Sequence, residues 1–203
     1  MSELVPGGNL PLPGGTLTLR VPGPFDVSAL VTDDSGKVRG DGDFVFYNQR
    51  TAPGIRLAGA ELTVDPAALR AGASRVTVAI SPADPGTPLG QLPAPSLHVT
   101  GPGGHVVARF TPPRPQRETV LLLAEIYRRG PAWKLRALGQ GYADGLAGVA
   151  RDFGVDVVED TTPASGAVAG AGGSADAPPR SGTAPEPGRF RIPGIAGDGR
   201  DGG

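Results

Sequence analysis

The residues best placed to do chemistry are oxygen donors gathered in one short stretch. Asp26 opens an alternating apolar run. Asp33-Asp34-Ser35-Gly36 has the composition of a turn. Asp41-Gly42-Asp43 opens a further run that closes on Asn48. Carboxylate and amide oxygens at strand ends suit Ca²⁺, a hard cation taking about 6–8 oxygen ligands. The spacing does not follow the EF-hand order, which ends on a Glu at position 12. Asp, Ser and Gly also build turns with no ion present. Residue types alone leave both readings open.

Other chemistries have less to work with. Gly139-Gln-Gly141 and the displaced Gly145 approach a phosphate-binding glycine pattern. A dinucleotide unit needs a parallel βαβ frame and a downstream acid. Here the expected helix runs almost directly into a low-complexity tail. The glycines are therefore expected to make a tight strand-to-helix turn with positive φ. Cysteine is absent, which removes disulfides, thiolate zinc sites and Cys nucleophiles. There is no Gly-x-Ser-x-Gly elbow. His98 and His105, the two histidines, fall in the two arms of one expected hairpin, where they could lie close together. They lack the third and fourth ligands that zinc requires. The chain is expected not to be an enzyme, and no small-molecule substrate can be named.

The elements that must position these residues are short strands. Thr16–Val21 alternates with a clean period of two, and Asp26–Thr32, Asp43–Tyr47 and Arg75–Ile80 are further β-like runs. Ser96–Thr100 and His105–Phe110 flank a Gly-Pro-Gly-Gly turn. Thr119–Tyr127 and Trp133–Leu138 flank Gly130-Pro131, so Glu125 and Lys134 fall on strands able to pair, and Trp133 is expected to anchor the core or sheet surface. Asp65 followed by Pro66 predicts a capped helical turn over Pro66–Ala71. Leu146, Val149, Ala150 and Phe153 make an amphipathic stripe over Tyr142–Phe153, stopped by Gly154.

Composition agrees with a turn-rich chain. The 203 residues include 33 Gly and 23 Pro, too many for a coiled coil. Gly has no three-residue period, which excludes collagen. A break falls near Val158. Beyond it the sequence is rich in Gly, Ala and Pro and cannot bury enough apolar surface to offset chain entropy. The expected organisation is an all-β dominated domain over residues 1–158 and a disordered tail over 159–203. Within the tail, Gly188–Ile195 has the mixed character of a short docking motif. The formal net charge of −1 gives no nucleic-acid footprint. No stretch approaches about 18 consecutive apolar residues, so no transmembrane segment is expected. Met1-Ser-Glu-Leu-Val-Pro carries no basic or apolar leader, and a cytoplasmic location is expected. Lys37 and Lys134 are the only lysines among 19 basic residues, a bias expected of a GC-rich bacterial source.

Two long blocks resemble the TerD family of tellurium-resistance and stress-response proteins. The first contains Phe25-Asp-Val-Ser-Ala-Leu-Val31 and Asp41-Gly-Asp-Phe-Val-Phe-Tyr-Asn48. The second runs from Glu125-Ile-Tyr-Arg-Arg-Gly-Pro-Ala-Trp-Lys-Leu-Arg-Ala-Leu-Gly-Gln-Gly-Tyr142 to Val157. Pro6-Gly-Gly-Asn-Leu10 resembles the family's first strand. The resemblance implies a β-sandwich with one short helical turn and a C-terminal helix, Ca²⁺ binding, and a role in stress resistance. It brings no catalytic residues. It would place the metal at Asp26, Asp41, Asp43 and Asn48. The sequence departs from the family there. Pro24 replaces the first acid of an Asp-x-Asp pair, and the Asp-rich loop after Asn48 is largely deleted. Arg50 and Arg56 stand where carboxylates are expected. The resemblance therefore implies a stress-response module whose Ca²⁺ site is weakened or lost. The alternative is a metal-free interaction or scaffold subunit of a stress-response complex, with protein partners and the tail as a docking segment.

Overall fold

The computed structural model describes residues 2–154. The domain boundary at 158, the tail and the Gly188–Ile195 motif lie outside the described residues.

Short β-prone runs, some alternating and some apolar throughout such as Val120–Ala124, form thirteen strands among the described residues: β1 (Ser2–Leu4), β2 (Asn9–Pro11), β3 (Leu17–Arg20), β4 (Phe25–Thr32), β5 (Phe44–Val45), β6 (Thr51–Ala52), β7 (Ile55–Ala58), β8 (Glu61–Val64), β9 (Arg75–Pro82), β10 (Leu97–Thr100), β11 (Val106–Phe110), β12 (Val120–Arg129) and β13 (Ala132–Tyr142). One helix, α1 (Gly145–Phe153), follows. The strands form two sheets. One is ordered β1-β11-β10-β3-β8-β7-β6, the other β2-β13-β12-β9-β4-β5. All pairings are antiparallel except β1 with β11. The expected all-β sandwich is the observed architecture.

Period-two alternation decides which residues fill the space between the sheets. Leu17, Leu19, Leu62, Val99 and Phe110 enter from the first sheet. Val27, Ala29, Val76, Val78, Ile126 and Leu135 enter from the second. Burying each large aliphatic side chain contributes about 1.5–3 kcal/mol before entropy is counted. Trp133 packs partly buried against the same core, as expected of an anchor.

The second sheet is also covered in part on its outer face. Leu30, Phe44, Ala79, Val120 and Leu122 pack there against Val149 of α1, with Phe153 at the margin. The helix begins at Gly145, three residues later than expected, because Tyr142 still belongs to β13. Gly154 ends it in the left-handed conformation, its N–H donating to the Ala150 carbonyl. No helix among the described residues is long and apolar enough to cross a membrane.

Three sequence expectations change in detail. Asp43–Tyr47 is not one strand: Asp41–Asp43 form a single 3₁₀ turn and only Phe44–Val45 pair with β4. The two histidines do not meet. His98 pairs opposite Arg109, while His105 sits at the loop end opposite Gly101, about three residues or 10 Å along the ladder.

Gly139-Gln-Gly141 is not a strand-to-helix turn but the interior of β13. The register runs Leu122↔Gln140 and then Ala124↔Ala137. Leu138 and Gly139 thus oppose the single residue Leu123, which is a β-bulge. Gly139 has φ 75°, as a bulge glycine requires. Gly139→Ala should lower stability by about 1 kcal/mol through left-handed strain. Urea unfolding checks this; an unchanged midpoint would mean that the bulge tolerates a Cβ.

Candidate functional site

The candidate donors are spread along one edge of the second sheet. Asp26 lies near the start of β4, half-exposed and opposite Ser81. Phe44, directly after Asp43, is opposite Leu30. Asp26 and the start of β5 are therefore four residues apart along β4, about 13 Å. Asn48 is exposed within the turn closed by the Phe46–Gln49 bridge. Asp41 is exposed at the start of the 3₁₀ turn, and its carbonyl accepts from Gln49 Nε2 at 2.6 Å.

Asp43 alone is buried, with 5% exposure. Both of its carboxylate oxygens are taken. Arg70 Nε donates to Oδ1 at 2.5 Å and Arg70 Nη2 to Oδ2 at 2.6 Å. The backbone N–H of Arg39 donates to Oδ2 at 2.7 Å. This is the bidentate fork that a planar guanidinium makes with a carboxylate. The hydrogen bond to Asp43 raises the Arg70 pKa further above its ordinary value.

Local chemistry places each partner. Asp65 accepts from the Ala67 N–H at 3.0 Å and caps the 3₁₀ turn Pro66–Ala68, which delivers Arg70 to the site. Arg39 Nη1 donates to the Ala71 carbonyl at 3.1 Å, and Arg39 Nε lies 3.6 Å from Asp33. Asp33 in turn accepts from the Ser35 hydroxyl at 2.5 Å and the Ser35 N–H at 3.0 Å. Those two bonds, the hydroxyl first, hold the Asp33 carboxyl below the usual carboxylate range. The result is a charge-balanced clamp of Asp33, Arg39, Asp43 and Arg70 that ties the loop after β4 to the loop before β9.

This arrangement does not fit a six-oxygen cation shell. The buried carboxylate is filled by a guanidinium, and Asp26 lies at the far end of β4. Among the described residues no group of three or more His, Asp or Glu converges as a metal site would require. From the sequence, Arg50 and Arg56 are the cations expected to oppose a metal. Arg50 instead donates to the Tyr47 carbonyl and Arg56 sits on β7. The cations at the site are Arg70 and Arg39. Arg70 lies 27 residues from Asp43, and no local spacing signals that pair.

The profile of the TerD domain matches residues 22–153, from three residues before β4 through α1. The chain belongs to the TerD family. It is 30% identical over 150 residues to the tellurium resistance protein TerD of Serratia marcescens, covering 65% of this chain and 78% of that protein. It is 27% identical over 151 residues to general stress protein 16U of Bacillus subtilis, covering 66% and 78%. The crystal structure of a TerD homologue from Streptomyces coelicolor A3(2) superposes with a TM-score of 0.51 at 16% identity, covering 64% of this chain and 91% of that one. A crystal structure of a protein of unknown function superposes at 0.54 and 19% identity, covering 69% and 96%. These two likenesses support the TerD fold.

Proposed function

We propose that this TerD chain is a non-enzymatic stress-response module that works without calcium, through contacts with protein partners. The Arg70 fork on Asp43 carries the reading. A guanidinium already supplies the positive charge that a bound cation would bring to the buried carboxylate. A divalent ion would have to displace a partly buried charge-assisted pair and then recruit ligands from distant parts of the sheet edge. The resistance and stress roles in the names of its relatives support the broad assignment.

Calorimetric titration with Ca²⁺ tests it. The expected result is no binding heat and no change in Tm at millimolar Ca²⁺. A saturable heat that disappears in Asp26→Ala or Asp43→Ala would overturn the proposal and restore a calcium role.

A further inference from the structure

The outer face of the second sheet carries a polar patch that the clamp does not use. The register sets Thr32, Arg75, Tyr127 and Lys134 in one continuous row across β4, β9, β12 and β13. The next row is Leu30, Thr77, Glu125 and Arg136. All of these side chains point away from the inter-sheet core, since Val31, Val76, Ile126 and Leu135 between them point in.

Three polar atoms in the first row are buried without a hydrogen-bond partner: Thr32 Oγ1, Arg75 Nε and Tyr127 Oη. Thr32 is fully buried and Tyr127 is 8% exposed. Leaving such groups unpaired is costly, and a cluster of them marks a missing partner. The chemistry of the cluster specifies that partner. Arg75 Nε can only donate, and both hydroxyls can donate. A molecule that offers acceptor lone pairs suits Arg75 and Tyr127, which are direct neighbours across β9 and β12, while Thr32 lies one strand further along the row.

Charge separates an anion from water. Glu125 is buried between Arg136, 2.9 Å away, and Arg75, 3.3 Å away. Each arginine side chain keeps about two-fifths exposure, so both guanidiniums still reach solvent. Arg136 also lies over the Tyr127 ring at 4.7 Å, and Lys134 closes the row. Three cations therefore face one carboxylate. Water would satisfy the donors, but only an anion also offsets the residual positive charge.

We propose that this row binds a small oxyanion, a phosphate or carboxylate group, on Arg75 and Tyr127 with Arg136 and Lys134 supplying charge. The test uses the full chain at constant ionic strength, with inorganic phosphate, acetate and sodium chloride as probes, read by calorimetry and Tm. Phosphate should bind saturably and raise Tm, with chloride inert. Tyr127→Phe removes an unpaired hydroxyl. It should leave the ligand-free Tm unchanged or higher, yet weaken phosphate binding about five- to tenfold. Arg136→Lys, which keeps the charge, should retain more binding than Arg136→Gln. Acetate matching phosphate would place the ligand on a carboxylate-bearing molecule, and a response to phosphate alone on a phosphate-bearing one; either supports the site. No saturable response to either oxyanion, an equal response to chloride, or full phosphate binding by Tyr127→Phe would overturn the proposal.

Discussion

Asp43→Ala should destabilise the protein by about 3 kcal/mol, the lower end of what breaking a buried ion pair costs. The loss comes mainly from Arg70. Its side chain is 16% exposed, so the orphaned guanidinium cannot rehydrate where it stands. The Arg39 N–H loses its acceptor as well. Arg70→Met should cost a similar amount, because a carboxylate only 6% exposed then loses its counter-charge and keeps only the Arg39 N–H. The double variant should recover much of the loss, since removing both charges leaves neither stranded. Urea unfolding of the four proteins measures the coupling. An interaction energy below about 0.5 kcal/mol would show that the fork is a surface pair of no structural weight. Adding Ca²⁺ should shift none of the four midpoints.

The clamp also shows where sequence reasoning stops. Alternation in β3, β4, β9 and β10 was legible because a strand with one buried face must repeat every second residue. The cap at Asp65, the turn at Asp33–Gly36 and the stop at Gly154 were legible because each is a local hydrogen-bond or φ requirement. The candidate site was legible only as composition. Asp43 and Arg70 meet because β5 and the turn before β9 arrive at the same edge, and nothing within either segment encodes that meeting. The sequence puts Glu125 and Lys134 on strands able to pair across the β12–β13 turn. In the actual register Lys134 faces Tyr127, and Glu125 faces Arg136. One pleat step of two residues moves the charge partner, and turn composition does not fix that step tightly enough. At Gly139 the positive φ is as the sequence predicts, but it serves a bulge inside β13 and not a strand-to-helix turn, because both need the same left-handed glycine.

Glu125→Gln should act in opposite directions on stability and on anion binding. The side chain keeps its size, so packing is preserved and the effect is electrostatic. Arg75 and Arg136 lose their shared counter-charge but can turn toward water, which limits the cost to about 2 kcal/mol, between a surface and a buried pair. The same substitution removes the one carboxylate facing the proposed oxyanion. A unit charge at about 5 Å in a partly solvated setting contributes on the order of 1 kcal/mol after screening, so phosphate affinity should rise about fivefold. Phosphate titration of the variant, with its Tm measured in parallel, separates the alternatives. If Glu125 only braces the sheet, both quantities fall together or binding is absent. If it sets the charge of an anion site, Tm falls while affinity rises, and saturating phosphate returns part of the lost stability by mass action.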